Sequence, residues 1–172
     1  MGRWTSNTFA KWWLTKLGIV HDEFQNEYLL AGTHFEHRIL DSLGLKIKKD
    51  GQYFVEEVRL RVNLDGETED TIYEVKTYKA GKPFKVPKKY IQQVCVQMYA
   101  TGKRRAYIVA YALEEEDYKN FLRPIDLGRL QLIPVEYDED FIHTVFLPRI
   151  QYLARCLIRG VFPLIEDMEA YS

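Results

Sequence analysis

Apolar residues recur at helical spacing in four stretches of the chain. The first begins at Ser6 or Asn7, either of which can cap a helix, and Gly18 follows its last turn. Gly44 stands directly after the second stretch and Gly102 closes the third, as glycine commonly does at the end of a helix. The predicted helices therefore span 6–17, 33–43, 86–102 and 138–159.

Between these helices the pattern changes to runs typical of strands. The predicted strands span 45–49, 52–64, 71–79, 104–113 and 131–137, and Pro134 restricts the last of these to an edge or an end of a sheet. Asp65-Gly66 opens the turn between the second and third strands and favours a hairpin there. The order of elements predicts a single α/β or α+β domain over 1–172, with a mixed central sheet flanked by helices.

Composition limits the classes of function. The chain has 172 residues and a net charge of -1, so a nucleic-acid site has to be local rather than spread over the whole surface. The two cysteines, Cys95 and Cys156, lie far apart and provide neither a disulfide framework nor a cysteine-ligated cluster. We therefore expect a reducing, cytoplasmic setting. The longest apolar run, 106–113, is too short to cross a bilayer, and no membrane association is expected.

The predicted hairpin concentrates acidic residues. Asp65 ends one strand and Glu74 lies inside the next, so their carboxylates can face each other across the ladder. Like charges in that position repel each other unless a cation lies between them, and hard divalent cations such as Mg²⁺ prefer carboxylate oxygens. The remaining acids of the turn are interpreted as solvated: Glu67, Glu69 and Asp70.

A basic stretch begins beside this hairpin. Lys76 follows Glu74 by two residues, so both side chains lie on one face of the strand, as phosphodiester hydrolysis at a metal requires. No Asp or Glu occurs from Val75 to Leu113. Such a run is usually a solvated face, but here it starts at the candidate catalytic centre, where a polyanion would be held. The lysines predicted to contact DNA are Lys79, Lys82, Lys85, Lys88 and Lys89.

Asp65 followed by Glu74-Val75-Lys76 has the form of the PD-(D/E)xK nuclease core. "GTHFE" at 32–36 resembles a Gly-x-x-Tyr/Phe-Glu segment of phage lambda-exonuclease-like and YqaJ-type recombinase nucleases. "YIQQVCVQMYATGK" at 90–103 is similar to their Tyr-x-x-Gln-Val-x-x-Gln-Met segment, and "LARCLIRGVFP" at 153–163 is similar to their last helix. The resemblance covers nearly the whole chain and implies a restriction-endonuclease-like α/β core.

The resemblance also implies roles for individual residues. The metal ligands for Mg²⁺ or Mn²⁺ would be Asp65, Glu74, the backbone carbonyl of Val75, and Glu36. Lys76 would be the catalytic lysine and Gln93 the glutamine beside the site. Tyr90, Gln93 and Gln97 share one helical face, and Tyr90 and Gln97 are expected to contact DNA. His34 is expected near the rim of the site, and His37 as an exposed helical residue.

The resemblance implies a metal-dependent deoxyribonuclease, most simply an exonuclease of the phage recombination type. Two alternatives remain open: a Cas4/RecB-like or restriction-type endonuclease without an iron–sulfur cluster, and a non-catalytic DNA-binding protein on the same fold. The expected partner is DNA. The resemblance also leaves open a homo-oligomer and a partner protein of the single-strand annealing or recombination type.

Overall fold

The structure, a computed structural model, describes residues 6–20, 27–164 and 167, with the side chains of α2 described from Thr33 onward. Its helices are α1 Asn7–Lys16, α2 Glu27–Ser42, α3 Lys88–Thr101, α4 Glu115–Lys119 and α5 Leu147–Arg159. Its strands are β1 Lys48–Val55, β2 Leu60–Glu67, β3 Thr71–Lys79, β4 Arg105–Leu113 and β5 Leu130–Pro134. None of the described helices combines the length and apolar character needed to span a membrane.

The five strands form one mixed sheet in the order β1-β2-β3-β4-β5. β2 and β3 pair antiparallel as a hairpin, β3 and β4 pair in parallel, and β5 pairs antiparallel with β4 at the edge. A parallel pair needs a crossover connection, which α3 supplies between β3 and β4. The prediction of a mixed sheet flanked by helices is confirmed.

The central position of β3 explains its composition. Residues 71–75 of β3 are all buried, as expected for a strand with covered faces. Val75 and Tyr73 belong to a core that includes Val109 on β4 and Phe35 and Ile39 on α2. Helix α2 therefore covers the sheet. This packing places Glu36, the residue after Phe35, near the strands.

The prediction of one strand over 52–64 is wrong. A 3₁₀ turn, Glu56–Val58, ends β1, and Arg59 adopts a left-handed conformation with φ 49° before β2 begins. Helix α2 begins six residues earlier than predicted. Helix α3 begins two residues later than predicted, with Pro87 as its N-cap. A π-helical segment, Phe141–Phe146, precedes α5 within the predicted helix 138–159.

Glu67 is not a solvated turn residue, which corrects the sequence interpretation. Its side chain is buried and accepts hydrogen bonds from Lys103 Nζ at 2.6 Å, Tyr53 Oη at 2.7 Å and Lys48 Nζ at 3.1 Å. Burial alone raises the pKa of Glu67, but these three donors outweigh it and the pKa is lowered. Gly51 leaves the necessary space, since a Cβ there would lie 2.7 Å from Glu67 Oε1. The other two acids of the turn are exposed, as predicted: Glu69 and Asp70.

The described residues fall into two compact units, and the sheet with α2, α3 and α4 belongs to the larger one. The smaller unit contains α1, the turn at 56–58 and α5, with Phe9, Trp13, Leu153 and Cys156 in its core. Trp13 Nε1 donates to the Val161 carbonyl at 3.2 Å. Of the two neighbouring tryptophans, only Trp13 is a core residue. The single domain predicted over 1–172 stays a prediction.

Candidate active site

The carboxylate of Glu74 is the centre of a hydrogen-bonded cluster in the middle of β3. Its side chain is 1% exposed. Oε1 accepts from Lys76 Nζ and from Gln93 Nε2, both at 2.5 Å, and Oε2 accepts from Gln97 Nε2 at 2.7 Å. A buried charge is tolerated only when it is paired and hydrogen-bonded, and three side-chain donors meet that requirement here.

Local periodicity brings these donors together. Glu74 and Lys76 are two residues apart on a strand, so their side chains lie on the same face. Gln93 and Gln97 are four residues apart on α3 and share one side of that helix. The crossover from β3 to β4 lays that side against the sheet. Val94 and Met98 of α3 are buried between the helix and the rest of the core.

Gln97 has a structural environment that the sequence did not indicate. It is 2% exposed, and its amide nitrogen donates both to Glu74 and to the Asn63 carbonyl at 3.0 Å. The side chain therefore ties α3 to β2 and β3. The prediction that Gln97 contacts DNA stays a prediction. In this structure its amide nitrogen donates only to protein groups, Glu74 and the Asn63 carbonyl.

Asp65 lies beside this cluster. The antiparallel pairing ends at Gly66 and Tyr73, and Asp65 and Glu74 occupy the next position on each strand. Asp65 Oδ2 accepts a hydrogen bond from the Val75 backbone N–H at 2.7 Å. Burial, followed by repulsion from Glu74 and Glu36, raises the pKa of Asp65 to about 7. The negative charge of Glu74 thus contributes to the raised pKa of Asp65.

Lys76 keeps its charge despite partial burial. Burial by itself lowers the pKa of Lys76, but the carboxylates of Glu74 and Asp65 outweigh it and the pKa is raised. The ammonium also lies 5.0 Å from the centre of the Tyr90 ring, and the Lys89 ammonium lies 5.2 Å from the same ring. Such cation–π contacts favour a fixed position for the charged form. Lys76 is therefore protonated at neutral pH.

Glu36 belongs to a second group of potential ligands. Among the described residues, one set of three brings its ligand atoms within 4.8 Å of one another, and it consists of Glu36, His37 and Asp50. His37 Nε2 lies 3.0 Å from Asp50 Oδ2. Burial, together with Glu74 and Asp50, raises the pKa of Glu36. The structure thus places Glu36 within electrostatic reach of Asp65 and Glu74, but does not bring those three carboxylates to one point.

Sequence reasoning missed Asp50. It occupies β1 with a left-handed φ of 55°, directly before Gly51. An Asp-Gly pair is a local sign of such a backbone. Nothing in the sequence indicates that β1 returns to the side of α2 that carries Glu36 and His37. His37 is nearly half exposed, as predicted, but it is bonded to Asp50.

A cleft of about 360 Å³ opens over this region. Glu36 and Lys76 face it from α2 and β3, and Tyr90 faces it from α3. Thr33 and Tyr118 form part of its wall. An acid, a protonated lysine and an aromatic ring therefore face one space that can admit a phosphodiester.

Exposed lysines continue from the cleft along the chain. Lys79 ends β3 and lines the cleft, and its ammonium lies 3.8 Å from a Glu115 carboxylate oxygen. The others follow in the loop after β3 and at the start of α3. We call this set the basic rim; its members are Lys79, Lys82, Lys85, Lys88 and Lys89, all exposed. Their role in binding DNA stays a prediction.

No protein-family model matches the sequence, and no curated protein matches it significantly. Several solved structures, however, are similar to this one. A phage-related exonuclease from Haemophilus somnus 129PT superimposes with a TM-score of 0.64 at 16% identity, covering 94% of this chain and 82% of that one. The alkaline exonuclease LHK-Exo from Laribacter hongkongensis gives a TM-score of 0.61 at 20% identity, covering 92% and 87%.

This chain has the fold of these exonucleases. LHK-Exo in complex with dAMP is also similar, with a TM-score of 0.59 at 18% identity over 96% of this chain and 80% of that one. The resemblance to lambda-exonuclease-like nucleases is confirmed at the level of the fold, and with it the restriction-endonuclease-like core.

The raised pKa of Asp65 predicts a pH-dependent stability. Unfolded, the carboxyl titrates near 3.8; folded, near 7, so the folded state binds more protons between these values. The contribution of the Asp65 carboxyl to the free energy of unfolding is therefore complete below pH about 4, and it is lost as the pH rises through 7. In EDTA at pH 8, Asp65→Asn should therefore be more stable than wild type in urea unfolding, by at most a few kcal/mol, since one pKa unit is about 1.4 kcal/mol.

The difference between Asp65→Asn and wild type should vanish as the pH approaches 4. Asp70 provides a control of opposite sign, because hydrogen bonds from Thr71 and Arg105 lower the pKa of Asp70. Asp70→Asn should therefore be less stable than wild type at neutral pH, and this difference in the free energy of unfolding should disappear in acid. An unchanged dependence on pH in Asp65→Asn would contradict the electrostatic description of the site.

Proposed function

We propose that this protein is a divalent-metal-dependent deoxyribonuclease, and that it acts as an exonuclease. The observation that carries the proposal is the buried Glu74 carboxylate bonded to Lys76, with Asp65 at the adjacent strand position. Two acids and a protonated lysine beside an open cleft are the groups that phosphodiester hydrolysis requires. The exonuclease fold of the chain supports the same reaction class.

The chemistry of the acidic groups fits a divalent cation. Asp65, Glu74 and the Val75 carbonyl would hold it, and Glu36, which lies within electrostatic reach of both acids, would complete or support the site. They offer only oxygen, as Mg²⁺ and Mn²⁺ prefer. Burial, and after it the negative charge of Glu74 and Glu36, raises the pKa of Asp65, and a cation at this position would favour the ionised carboxylate. When bound, such an ion polarises the phosphate and lowers the pKa of a water molecule.

The protein's own groups then fix the geometry of the reaction. Gln93 and Gln97 hold the Glu74 carboxylate in one orientation, and the Val75 N–H holds Asp65. Lys76 remains protonated and can donate to a phosphate oxygen as negative charge develops on it. A donor fixed before the reaction stabilises the transition state without further reorganisation.

DNA is the substrate that the exposed charges favour. The basic rim leads away from the cleft and offers lysines to successive phosphates. LHK-Exo, which shares the fold, was solved in complex with dAMP, a deoxynucleotide. Tyr90 joins the rim to the cleft, because its ring contacts both Lys76 and Lys89. The cytoplasmic setting, a homo-oligomer and an annealing or recombination partner stay predictions.

Purified protein should degrade linear duplex DNA with Mg²⁺ or Mn²⁺, and EDTA should stop the reaction. Glu74→Gln should abolish cleavage because it removes a metal-binding charge and breaks the ion pair with Lys76. Glu69→Gln is the matched control, since Glu69 is an exposed acid of the same hairpin, and it should cleave like wild type. Gel assays on linear and covalently closed circular DNA measure both properties.

Cleavage that persists in EDTA would contradict the metal mechanism. Equal degradation of linear and circular DNA would contradict an exonuclease and favour the restriction-type alternative. DNA binding without cleavage under all metal conditions would favour the non-catalytic alternative. These three outcomes can be told apart in one set of reactions.

Lys76→Ala should separate catalysis from binding. Losing one fixed donor should reduce kcat by about 10² to 10³. DNA affinity measured in Ca²⁺, which supports little chemistry, should fall much less. Lys76→Arg should not restore the rate, because a planar guanidinium cannot replace a compact ammonium held between Glu74 and the Tyr90 ring. Equal losses of kcat and affinity in Lys76→Ala would show that the lysine serves only to bind DNA.

The basic rim should determine the salt dependence of DNA binding. Each phosphate contact contributes about -0.9 to the slope of log K against log salt for duplex DNA. Replacing Lys82 and Lys85 by alanine should therefore make the slope shallower by roughly two units, without changing sequence preference. The same double replacement at the exposed lysines Lys46 and Lys119, outside the rim, is the control. An unchanged slope in the rim variant would assign these lysines to a merely solvated surface.

A further inference from the structure

The hairpin of β2 and β3 opens at the candidate active site. Backbone pairing between the two strands ends at Gly66 and Tyr73, and the next position on each strand holds an acid, Asp65 or Glu74. In a regular antiparallel ladder, the Val75 N–H would donate to a carbonyl of β2. Here it donates to Asp65 Oδ2 at 2.7 Å instead. The two acids therefore lie where the backbone ladder no longer fixes the distance between the strands.

Gln97 on α3 bridges the two strands beyond this opening. Its amide nitrogen donates to Glu74 Oε2 on β3 at 2.7 Å and to the Asn63 carbonyl on β2 at 3.0 Å. Asn63 lies two residues before Asp65 on the same strand. One side chain thus connects the strand that carries Asp65 with the carboxylate of Glu74. Within the described part of the chain, Gln93 donates to Glu74 alone and makes no such bridge.

The amide oxygen of Gln97 shows that this side chain is held for its two donor contacts. Gln97 is 2% exposed, and its Oε1 has no hydrogen-bond partner among the described residues. A buried acceptor without a donor is unfavourable and rare in native proteins. An apolar side chain of similar length, such as methionine, would fill the same space without that cost. The benefit of a glutamine here therefore lies in its amide hydrogens.

The two oxygens of the Glu74 carboxylate differ in their remaining capacity to bind a cation. Oε1 accepts from both Lys76 and Gln93, and these two bonds use its two lone pairs. Oε2 accepts from Gln97 alone among the described residues, so one of its lone pairs is left. The oxygen that Gln97 holds is therefore the one that can still bind a metal ion.

We propose that Gln97 is a positioning residue that makes the site selective for Mg²⁺ over the larger Ca²⁺. This inference rests on the proposed metal-dependent function and adds to it the determinant of which ion is bound. Mg²⁺ requires a nearly ideal octahedron with ligands at about 2.0–2.1 Å, whereas Ca²⁺ accepts flexible geometry at about 2.3–2.6 Å. A fixed separation between Asp65 and the Glu74 carboxylate suits the small ion. A loosened separation still accepts the large one.

The test measures the binding of Mg²⁺ alone and of Ca²⁺ alone to the DNA-free protein by isothermal titration calorimetry. Gln97→Met keeps a side chain of similar length but removes both donors. It should weaken Mg²⁺ binding about tenfold more than Ca²⁺ binding, the scale of one hydrogen bond to a charged group. Gln93→Met is the matched control, because it removes one donor to Glu74 and leaves the bridge to β2. It should weaken the binding of both ions by the same factor.

Gln97→Asn tests the bridge while keeping the amide. Its side chain is one methylene shorter and cannot reach both acceptors, so it should reduce the preference for Mg²⁺ as Gln97→Met does. Urea unfolding checks that each variant is folded, and either folded variant is sufficient for the comparison. Failure of both variants to fold would overturn the inference, because Gln97 would then serve the stability of the fold.

Equal losses of Mg²⁺ and Ca²⁺ affinity in the folded Gln97 variants would also overturn the inference, and so would unchanged affinities. Metal-dependent cleavage of DNA by wild type would leave the proposed function intact in both cases. A wild-type protein that binds neither ion and cleaves no DNA would overturn both proposals.

Discussion

The buried carboxylate of Glu74 is the constraint on which the site depends. Removing a charge from water costs several kcal/mol unless hydrogen bonds replace its hydration, and an uncompensated one is strongly destabilising. The compensating donors come from two elements: Lys76 on the same strand, and Gln93 and Gln97 on α3. They meet Glu74 only if α3 lies on the sheet in one register. The position of α3 on the sheet therefore determines both the packing of the crossover and the geometry of the site.

The two buried or half-buried carboxylates of β2 show how the surroundings of an acid shift its pKa in opposite directions. Asp65 and Glu67 are two residues apart on the same strand. Glu67 is surrounded by Lys48, Lys103 and Tyr53, and the net effect is a lowered pKa. Burial, followed by its acidic neighbours Glu74 and Glu36, raises the pKa of Asp65 to about 7. A protein that keeps such repulsion uncompensated at a cleft commonly uses it. Glu67 instead fastens the hairpin that carries Asp65.

The interior and exposed polar side chains around the site have different surroundings. The glutamines of α3 hold Glu74, and Gln97 is 2% exposed. The lysines of the basic rim are exposed, and we propose that they bind phosphates. Tyr90 lies between the buried cluster and the basic rim, because its ring contacts both the half-buried Lys76 and the exposed Lys89.

The sequence by itself determined the parts of the site that depend on local geometry. Glu74 and Lys76 share a face because a strand has a period of two, and Gln93 and Gln97 share one because a helix has a period near four. Asp65 lies beside Glu74 because a hairpin joins neighbouring segments. Only the tertiary structure decided which distant residues meet: Asp50 with Glu36 and His37, Lys103 with Glu67, and Phe121 with His34. These contacts depend on how the chain returns after many residues, and no local pattern of apolar and polar positions encodes that return.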